Sequence, residues 1–280
     1  MSTPHYTIVR PENFDIEQIF NCGQCFRFNR VENAPDEFCG VAMGKYIRVS
    51  QDSDTVTFHN VTEEEFHDIW HNYFDLNTDY NRISQSFSDD ETLTKAAAFA
   101  SGIRILRQDK WETLCSFIIS QNNNIPRIKG IIENLSAKYG KHIGFFDGKE
   151  RFAFPTAEAL FNAGVDELFA MKTGFRAKYI YDAAQRVSEG KINLDTIDKL
   201  KLDEAVSTLT EIKGVGPKVA LCTLLFGFAR HNAFPIDVWV KRILEKYYSQ
   251  NIPSHFKEAN AGIAQQYLFY YERCINDVYL

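Results

Sequence analysis

The sequence predicts an α+β protein, in which a small N-terminal antiparallel β-sheet domain precedes a mainly α-helical body of two subdomains. Three observations predict this class. Short β-type runs separated by turn residues fill the first sixty positions, and helix-period apolar spacing follows them. A Gly-Val-Gly-Pro turn then separates two helical segments, as in a helix-hairpin-helix motif. We place the domain boundary near residue 95, which gives a β-rich domain over 1–95 and a helical domain over 96–280.

Composition limits the class of protein. The chain has 280 residues, of which 45% are hydrophobic, so it can bury a sizeable core. No apolar run reaches the roughly 18 residues that span a bilayer, and no secretory leader is recognisable, so we expect no membrane partner. Six sparse cysteines favour a reducing, intracellular compartment. The net charge of −6 argues against a nucleic-acid partner, although the local field of a groove decides this.

The β-rich part is predicted between Tyr6 and about Asn60. Runs at 38–43, 46–50 and 55–58 are separated by polar or glycine-containing turns. From Glu63 onward the spacing becomes helical, since apolar residues at 66, 69, 70 and 73 share one helix face. Helices are predicted nearly to the end of the chain, with breaks at Gly140, Pro155, Gly174, Gly190, Gly214–Gly216, Pro235 and Pro253.

The most informative stretch lies around Gly214, Val215 and Gly216. A helix is predicted to end near Ile212 and a second to start around Lys218, after a proline suited to a first helical turn. Two glycines permit a tight turn, and amides beside a helix N-terminus can bind a phosphate of DNA without reading its sequence. The alternative is an ordinary glycine-rich corner between two helices.

Lys218 and Asp237 are the candidate catalytic pair. A helix start and partial burial both disfavour an ammonium, which increases the nucleophilic neutral amine at Lys218. Asp237 lies in an apolar segment after Pro235, where a helix begins. An amine and a carboxylate together can break an N-glycosidic bond and form a Schiff base that undergoes β-elimination. The alternatives are a plain phosphate contact at Lys218 and an N-capping aspartate at 237, and capping does not exclude catalysis.

The GVGPK turn and the downstream Pro-Ile-Asp resemble the helix-hairpin-helix DNA glycosylase superfamily. Within it, the chain is similar to the 8-oxoguanine DNA glycosylase/lyase family over almost its whole length. The resemblance implies a bifunctional repair enzyme that removes 8-oxoguanine opposite cytosine and then nicks the strand, with its active site in a cleft near 209–240. It implies double-stranded DNA containing the lesion as the partner, and a location with cellular DNA. We expect a monomer by default.

The resemblance also assigns a base pocket. In the segment Asn21–Phe28, the carbonyl of Gly23 would accept from N7–H of the lesion and repel the bare N7 of guanine. Cys222 would be a pocket wall, although a core cysteine is the ordinary interpretation. Gln265 and Phe269 share a helix face, where the amide would bind the base edge and the ring would stack on it. The pair Cys22 and Cys25 could instead belong to a zinc or redox site, but no second cysteine pair supports this.

A second group of residues is assigned to the gap in the duplex. Asn122 would fill the space left by the extruded base, and Arg127 would face the orphaned cytosine. Phe175 would be the wedge, where better-known members have tyrosine, and Arg176 would be the second arginine at cytosine. For the asparagine segment, the alternative is a polar loop between two helices.

Two departures and two rival functions complete the prediction. Better-known members carry a phosphate-binding histidine where this chain has Trp239, so that role is not transferred. The four-cysteine cluster of the iron–sulfur glycosylases is missing from the C-terminal part, so we expect no iron–sulfur cluster. No cofactor or metal is required, although the hairpin carbonyls could bind an alkali ion. The rivals are a glycosylase of the same fold for another damaged base and a non-catalytic DNA-binding module.

Overall fold

A computed structural model describes residues 4–249 and 251–276 of the chain. Two compact units are distinguished. The first comprises the described residues of Met1–Gly40, Ile47–Arg107 and Ala229–Leu280, and the second comprises Val41–Tyr46 and Gln108–Phe228. The predicted division at residue 95 remains a prediction.

A five-stranded antiparallel sheet forms the N-terminal region, with the strand order β1-β5-β4-β3-β2. Its strands are β1 (His5–Val9), β2 (Asn29–Val31), β3 (Ala34–Ala42), β4 (Lys45–Gln51) and β5 (Thr55–His59). Val49, Val56 and Phe58 are fully buried, because alternate residues of β4 and β5 face the core. The three predicted runs thus correspond to β3, β4 and β5.

One helix interrupts the region that was predicted as strands only. Helix α1 (Ile16–Asn21) begins at the N-cap Asp15, whose carboxylate accepts from Gln18 N–H, and it buries Ile16, Ile19 and Phe20. This part of the prediction was wrong, because a helix of six residues is too short to show a clear helical period. A capping aspartate was its available signal.

The other helices of the first unit follow this sheet in the sequence. They are α2 (Glu63–Glu65), a π-helical turn (Phe66–Trp70), α3 (His71–Tyr73), α4 (Tyr80–Gln85), α5 (Glu91–Phe99), α13 (Val238–Tyr248), a 3₁₀ turn (Ser254–Lys257) and α14 (Ala261–Ile275). The predicted helical face near residue 70 is confirmed, with Phe66, Trp70 and Tyr73 buried. Helix α14 packs on α5 and α13, so its buried face is held by helices of its own unit.

The second unit is mostly helical. Its elements are α6 (Lys110–Ser120), α7 (Ile125–Tyr139), β6 (His142–Phe146), β7 (Lys149–Phe152), α8 (Ala157–Leu168), a π-helical turn (Phe169–Thr173), a 3₁₀ turn (Gly174–Arg176), α9 (Ala177–Ser188), α10 (Leu194–Ile197), α11 (Leu202–Thr210) and α12 (Pro217–Gly227). Helix α12 packs along α6, and α9 packs along α8.

The β6–β7 hairpin corrects the prediction of helical structure between the breaks at Gly140 and Pro155. Asp147 and Gly148 form its two-residue turn with φ angles of 48° and 72°. Positive φ at both positions favours Asp-Gly, and such a dipeptide between apolar runs is a strong hairpin signal. No helix within 4–249 and 251–276 is both long and apolar enough to cross a membrane.

Candidate active site

The hairpin that precedes α12 is held by helix α9. The carboxylate Oδ2 of Asp182 accepts from Lys213 N–H at 2.8 Å. Gly214 has φ +80°, and a Cβ there would lie 2.3 Å from Cγ of Tyr179, so only glycine fits on this ring. Two side chains of α9 therefore fix the shape of the turn.

The hairpin amides are not equivalent. The Val215 N–H donates to Ile212 O at 3.0 Å and is used by the turn itself. The amides of Gly214 and Gly216 make no hydrogen bond within the described ranges, and Gly216 is exposed. Gly216 is also the N-cap of α12, where an outward amide and the helix dipole both favour an anion.

Lys218 is the second residue of α12, as predicted, and follows Pro217 at the first helical position. Its side chain is half-buried. Its Nζ lies 5.5 Å from the ring centroid of Phe117, which is itself buried and stacked on Phe226. Among the described residues, the amine has neither an ion-pair partner nor a hydrogen-bond acceptor. Cys222 lies one turn further along α12 and is 5% exposed.

Asp237 is the N-cap of α13, and its Oδ1 accepts from Val240 N–H at 2.8 Å. This confirms the predicted helix start. The cap uses one carboxylate oxygen, and no ion pair with a cation occurs within 4–249 and 251–276. The carboxylate is half-buried in an apolar segment that includes the buried Ala233 and Val240.

The segment at Gly23 is anchored by its neighbours. The side chain of Gln24 donates to Ile19 O and Arg104 O, both at 2.9 Å, and accepts from Leu106 N–H at 2.8 Å. Gly23 has φ +80°, and a Cβ there would lie 3.4 Å from Cε1 of Phe269. The glycine therefore lies directly against the ring that the resemblance assigns to base stacking.

Burial of Cys22 bears on the redox alternative. Desolvation raises the pKa of this thiol to about 11, and hydrogen bonds from Gln266 and Gln24 oppose the rise. A thiol with a raised pKa is a poor nucleophile. All six cysteines are free, and the described residues contain no group of three or more His, Cys, Asp or Glu side chains arranged to hold a metal.

Helix α14 carries Gln265 and Phe269 on one face, as predicted. Gln265 is 6% exposed, and its Oε1 is buried without a hydrogen-bond partner among the described residues. Phe269 is half-buried. A buried amide oxygen without a donor costs about 1–3 kcal/mol, which a bound donor would recover.

The three asparagines between α6 and α7 have separate structural roles. Asn122 has φ +47° and is exposed, as suits a residue that tolerates the left-handed region. Asn123 donates to Ile119 O at 3.0 Å, and Asn124 is the N-cap of α7, accepting from Arg127 N–H. The segment is thus a polar loop, as one alternative held, and this geometry also exposes Asn122.

Arg176 and Arg127 both approach this loop, with different exposures. Arg176 is 2% exposed, and its guanidinium donates to the backbone carbonyls of Gln121, Asn122 and Thr173. Arg127 is exposed and its Nη2 donates to Lys172 O at 3.4 Å. A Cβ at Gly174 would lie 3.9 Å from a guanidinium nitrogen of each arginine. Burial, followed by the charge of Arg127, lowers the pKa of Arg176.

Phe175 is an exposed apolar side chain at 50% exposure. Its ring meets Tyr179 edge-on at 5.9 Å, and the guanidinium of Arg176 lies 4.4 Å from its centroid. Lys172, with φ +66°, and Gly174, with φ +61°, turn the chain immediately before it. This geometry exposes the ring of Phe175 to solvent, while Tyr179 and Arg176 contact it.

Three further residues belong to these sites, although they were not among the predicted ones. Tyr179 and Asp182 support the hairpin. Their i, i+3 spacing on α9, just after the predicted wedge, was the sequence feature that could have indicated a shared helix face. Arg273 extends the Gln265–Phe269 face by one turn, and a second i, i+4 step would have identified it.

Two family models match consecutive parts of the chain. Residues 7–114 match the family model for the 8-oxoguanine DNA glycosylase N-terminal domain, and residues 115–262 match that for HhH-GPD superfamily base excision DNA repair proteins. A solved structure of MBOgg1 in complex with a low affinity DNA ligand is 42% identical, with a TM-score of 0.92. The match covers 99% of this chain and 97% of that one.

Two relatives from named organisms are also similar. The Clostridium acetobutylicum 8-oxoguanine glycosylase/lyase, solved with DNA containing cytosine opposite 8-oxoG, is 40% identical with a TM-score of 0.89. That match covers 97% of this chain and 98% of that one. The N-glycosylase/DNA lyase OGG1 of Arabidopsis thaliana is 37% identical over 56% of this chain. The matched segment spans only 44% of that relative's length. The chain therefore belongs to the HhH-GPD superfamily of base excision DNA repair proteins and, within it, to the 8-oxoguanine DNA glycosylase family.

Proposed function

We propose that this chain is a bifunctional DNA glycosylase and abasic-site lyase that removes 8-oxoguanine, preferentially opposite cytosine. The observation that carries the proposal is the environment of the Lys218 amine. Its amine follows a backbone-binding hairpin at the start of α12, is half-buried, and is not committed to any carboxylate among the described residues. An amine without a carboxylate partner is available to act as a nucleophile.

The proposed chemistry uses Lys218 as the nucleophile. A bond forms between Nζ and C1′ of the extruded nucleotide while the bond from C1′ to N9 of the base breaks. Asp237 stabilises the positive charge that develops on the sugar. The C1′–O4′ bond of the sugar ring then breaks, O4′ takes up the proton that Nζ loses, and Nζ and C1′ become joined as an imine. Removal of a proton from C2′ then breaks the bond between C3′ and its phosphate oxygen, which expels the 3′ phosphate. This route needs no cofactor.

The proposed base pocket is formed by Gly23, Gln265 and Phe269, with Cys222 as a wall. N7–H of 8-oxoguanine would donate to the Gly23 carbonyl, whereas guanine would present a second acceptor there. The unpartnered Oε1 of Gln265 would accept from N1–H or the exocyclic amine of the purine. The ring of Phe269 would stack on it. Extrusion costs a few kcal/mol, which these contacts offset.

The opposite strand is proposed to meet Arg127 and Asn122, which lies on a loop that the buried Arg176 holds in place. The earlier assignment of Arg176 to cytosine is corrected, because its guanidinium donates to backbone carbonyls of the protein, whereas the exposed guanidinium of Arg127 can donate to O2 and N3 of cytosine. Phe175 would enter the stack as a wedge. The hairpin amide of Gly216 would bind a phosphate, and the adjoining carbonyls could bind an alkali ion. We expect a monomer that works where cellular DNA is found.

Borohydride trapping tests the proposal. Unmodified protein is incubated with a duplex holding 8-oxoguanine opposite cytosine, and reduction of the imine should give a covalent complex with concurrent strand cleavage. Lys218→Gln should abolish the complex, whereas Lys213→Gln, five residues earlier on the same hairpin, should retain it. No complex with unmodified protein would contradict the lyase proposal. Trapping that is equally efficient with other damaged bases would instead favour a glycosylase of different specificity.

A further inference from the structure

Helix α14 presents three side chains in a row on one face. Gln265, Phe269 and Arg273 follow each other at four-residue steps, which places them along one side of the helix. The first two are the proposed contacts of the extruded base. Arg273 lies one turn beyond the aromatic ring, and neither the family resemblance nor the proposed mechanism uses it.

Arg273 is a nearly buried cation without an acceptor among the described residues. The residue is 9% exposed, and its Nε is buried without a hydrogen-bond partner in the part of the chain that the structure describes. No salt bridge or side-chain hydrogen bond of this guanidinium occurs among residues 4–249 and 251–276. Arginine is almost never buried without a partner, because unpaired donors lose their hydration. Desolvation lowers the pKa of Arg273, although the nearby charges of Cys274 and Asp237 oppose the shift.

Two aromatic rings hold the guanidinium in place. Its Cζ lies 5.2 Å from the ring centroid of Phe269 and 5.9 Å from that of Trp239. Cation–π contacts of this kind satisfy the charge in part, but they accept none of the five N–H groups within their plane. The donors therefore remain available for an acceptor that enters from outside the protein.

The position of the guanidinium indicates which acceptor. Nη1 of Arg273 lies 4.0 Å from the point where a Cβ on Gly23 would be, and Phe269 Cε1 lies 3.4 Å from the same point. Gly23, whose carbonyl is the proposed acceptor, and a guanidinium nitrogen of Arg273 thus lie beside the same ring. In 8-oxoguanine, N7–H is flanked by the carbonyl oxygens O6 and O8. An acceptor with a donor beside it is the complement of that edge.

We propose that Arg273 is a specificity-determining residue, whose guanidinium donates a hydrogen bond to a carbonyl oxygen of the extruded 8-oxoguanine beside N7. The inference rests on the proposed function. Gly23 would disfavour guanine by repulsion, and Arg273 would add an attractive contact with a carbonyl oxygen of the lesion. The ligand is the base itself and not a phosphate, because the donors converge with Gly23 and Phe269, the proposed base contacts.

The test separates base contacts from backbone contacts through the two activities of the enzyme. Single-turnover excision of 8-oxoguanine requires the base, whereas β-elimination at a preformed abasic site does not. Arg273→Met should slow excision about 10- to 100-fold, as expected for a lost hydrogen bond to a charged donor. Its β-elimination should stay within about twofold of the unmodified rate. Arg273→Lys should recover part of the excision rate because it keeps a donor.

Two controls make the result specific. Arg242→Met removes another cation near Trp239, at 5.1 Å from its centroid, and should leave the ratio of the two activities unchanged. Thermal unfolding should show that Arg273→Met melts no lower than the unmodified protein, because methionine removes an unsatisfied buried charge. Gain or retention of stability together with lost excision is the signature of a ligand-binding residue.

Binding measurements identify the atom. In a Lys218→Gln background, Arg273→Met should weaken binding to an 8-oxoguanine duplex and not to a tetrahydrofuran duplex, which lacks a base. An equal loss on 8-oxoadenine, which retains O8 and replaces O6 with an amine, assigns the contact to O8. If Arg273→Met leaves binding to the 8-oxoadenine duplex unchanged, the contact is assigned to O6.

Two results would overturn the inference. Equal losses in excision and β-elimination would show a backbone or structural role. Unchanged excision in Arg273→Met would show that the guanidinium does not contact the base. Failure of the unmodified protein to excise 8-oxoguanine would instead contradict the proposed function, so the two failures are distinguishable.

Discussion

At the residue scale, two arginines beside the asparagine loop have opposite roles. Arg176 is 2% exposed, and its guanidinium donates to the backbone carbonyls of Gln121 and Asn122 in the loop and of Thr173 in the turn before Phe175. Arg127 is exposed and makes one long hydrogen bond, at 3.4 Å. A buried guanidinium that satisfies several carbonyls holds the local backbone together, whereas an exposed one remains free to bind a partner.

We therefore expect Arg176→Met to destabilise the protein by about 2–4 kcal/mol, because several buried carbonyls lose their donor. Thermal unfolding should show a melting temperature lower by several degrees. Arg127→Met should change the melting temperature by no more than about 1 °C.

The same Arg127→Met variant should lose the preference for cytosine opposite the lesion, measured as relative excision rates opposite cytosine and adenine. A variant at 127 that keeps this preference would contradict the proposed contact.

At the element scale, helix α9 supports the two parts of the second unit that are proposed to contact DNA, namely the segment at Phe175 and the hairpin at Gly214. Its first residues adjoin Phe175 and Arg176, while Tyr179 and Asp182 support the hairpin at Gly214 and Lys213. The two glycines of the hairpin have different surroundings. Gly214 has φ +80° and is covered by Tyr179, whereas a Cβ on Gly216 would meet nothing within 4 Å.

Alanine substitution at these glycines should therefore have unequal effects. Gly214→Ala adds a clash with an aromatic ring to an unfavourable φ, and we expect a loss of roughly 2–4 kcal/mol. Gly216→Ala should cost only a few tenths of a kcal/mol, because glycine is only slightly better than alanine at an N-cap with extended backbone. Chemical denaturation of both variants measures the difference. Equal losses would show that Tyr179 does not constrain the turn.

Elements with local signals were predictable from the sequence. The glycines and Pro217 located the hairpin, and Pro235 with Asp237 located the start of α13. The β6–β7 hairpin was not predicted although Asp147-Gly148 marks its turn, because the apolar residues around this turn are also compatible with a short helix. The role of Tyr179 could not be predicted, since it depends on a contact between residues 35 positions apart. The spacing of the sequence places Arg273 on the same helix face as Gln265 and Phe269. That its Nε has no hydrogen-bond acceptor among the described residues can be seen only in the structure.

At the scale of the whole molecule, a buried polar cluster joins distant parts of the chain. Arg104 is 3% exposed and donates to carbonyls of Asn13, Phe74, Asp75 and Thr78. Arg107 forms an ion pair with Asp75. His231, from the C-terminal part of the chain, has its Nε2 3.8 Å from Asp75 Oδ2 without a hydrogen bond. Burial lowers the pKa of His231, and the charge of Asp75 opposes the shift.

This cluster predicts a loss of stability at mildly acidic pH. A histidine with a lowered folded-state pKa binds more protons when unfolded, so the free energy of unfolding falls as pH drops below about 6.5. Each such proton contributes at most about 1.4 kcal/mol per pH unit. His231→Gln should reduce the slope of stability against pH between 6.5 and 5, measured by urea denaturation. Part of the slope should remain, because desolvation also lowers the pKa of His59. An unchanged slope would exclude His231 as a source.

Because α9 supports both Phe175 and the hairpin, it fixes the distance between them. The hairpin would bind a phosphate of the backbone, and Phe175 would enter the stack of bases. Because a single helix joins them, the distance between the held phosphate and the opened step cannot vary independently. The number of nucleotides between the proposed phosphate contact and the proposed wedge would then be set by this helix, and so would the choice of the nucleotide that is extruded.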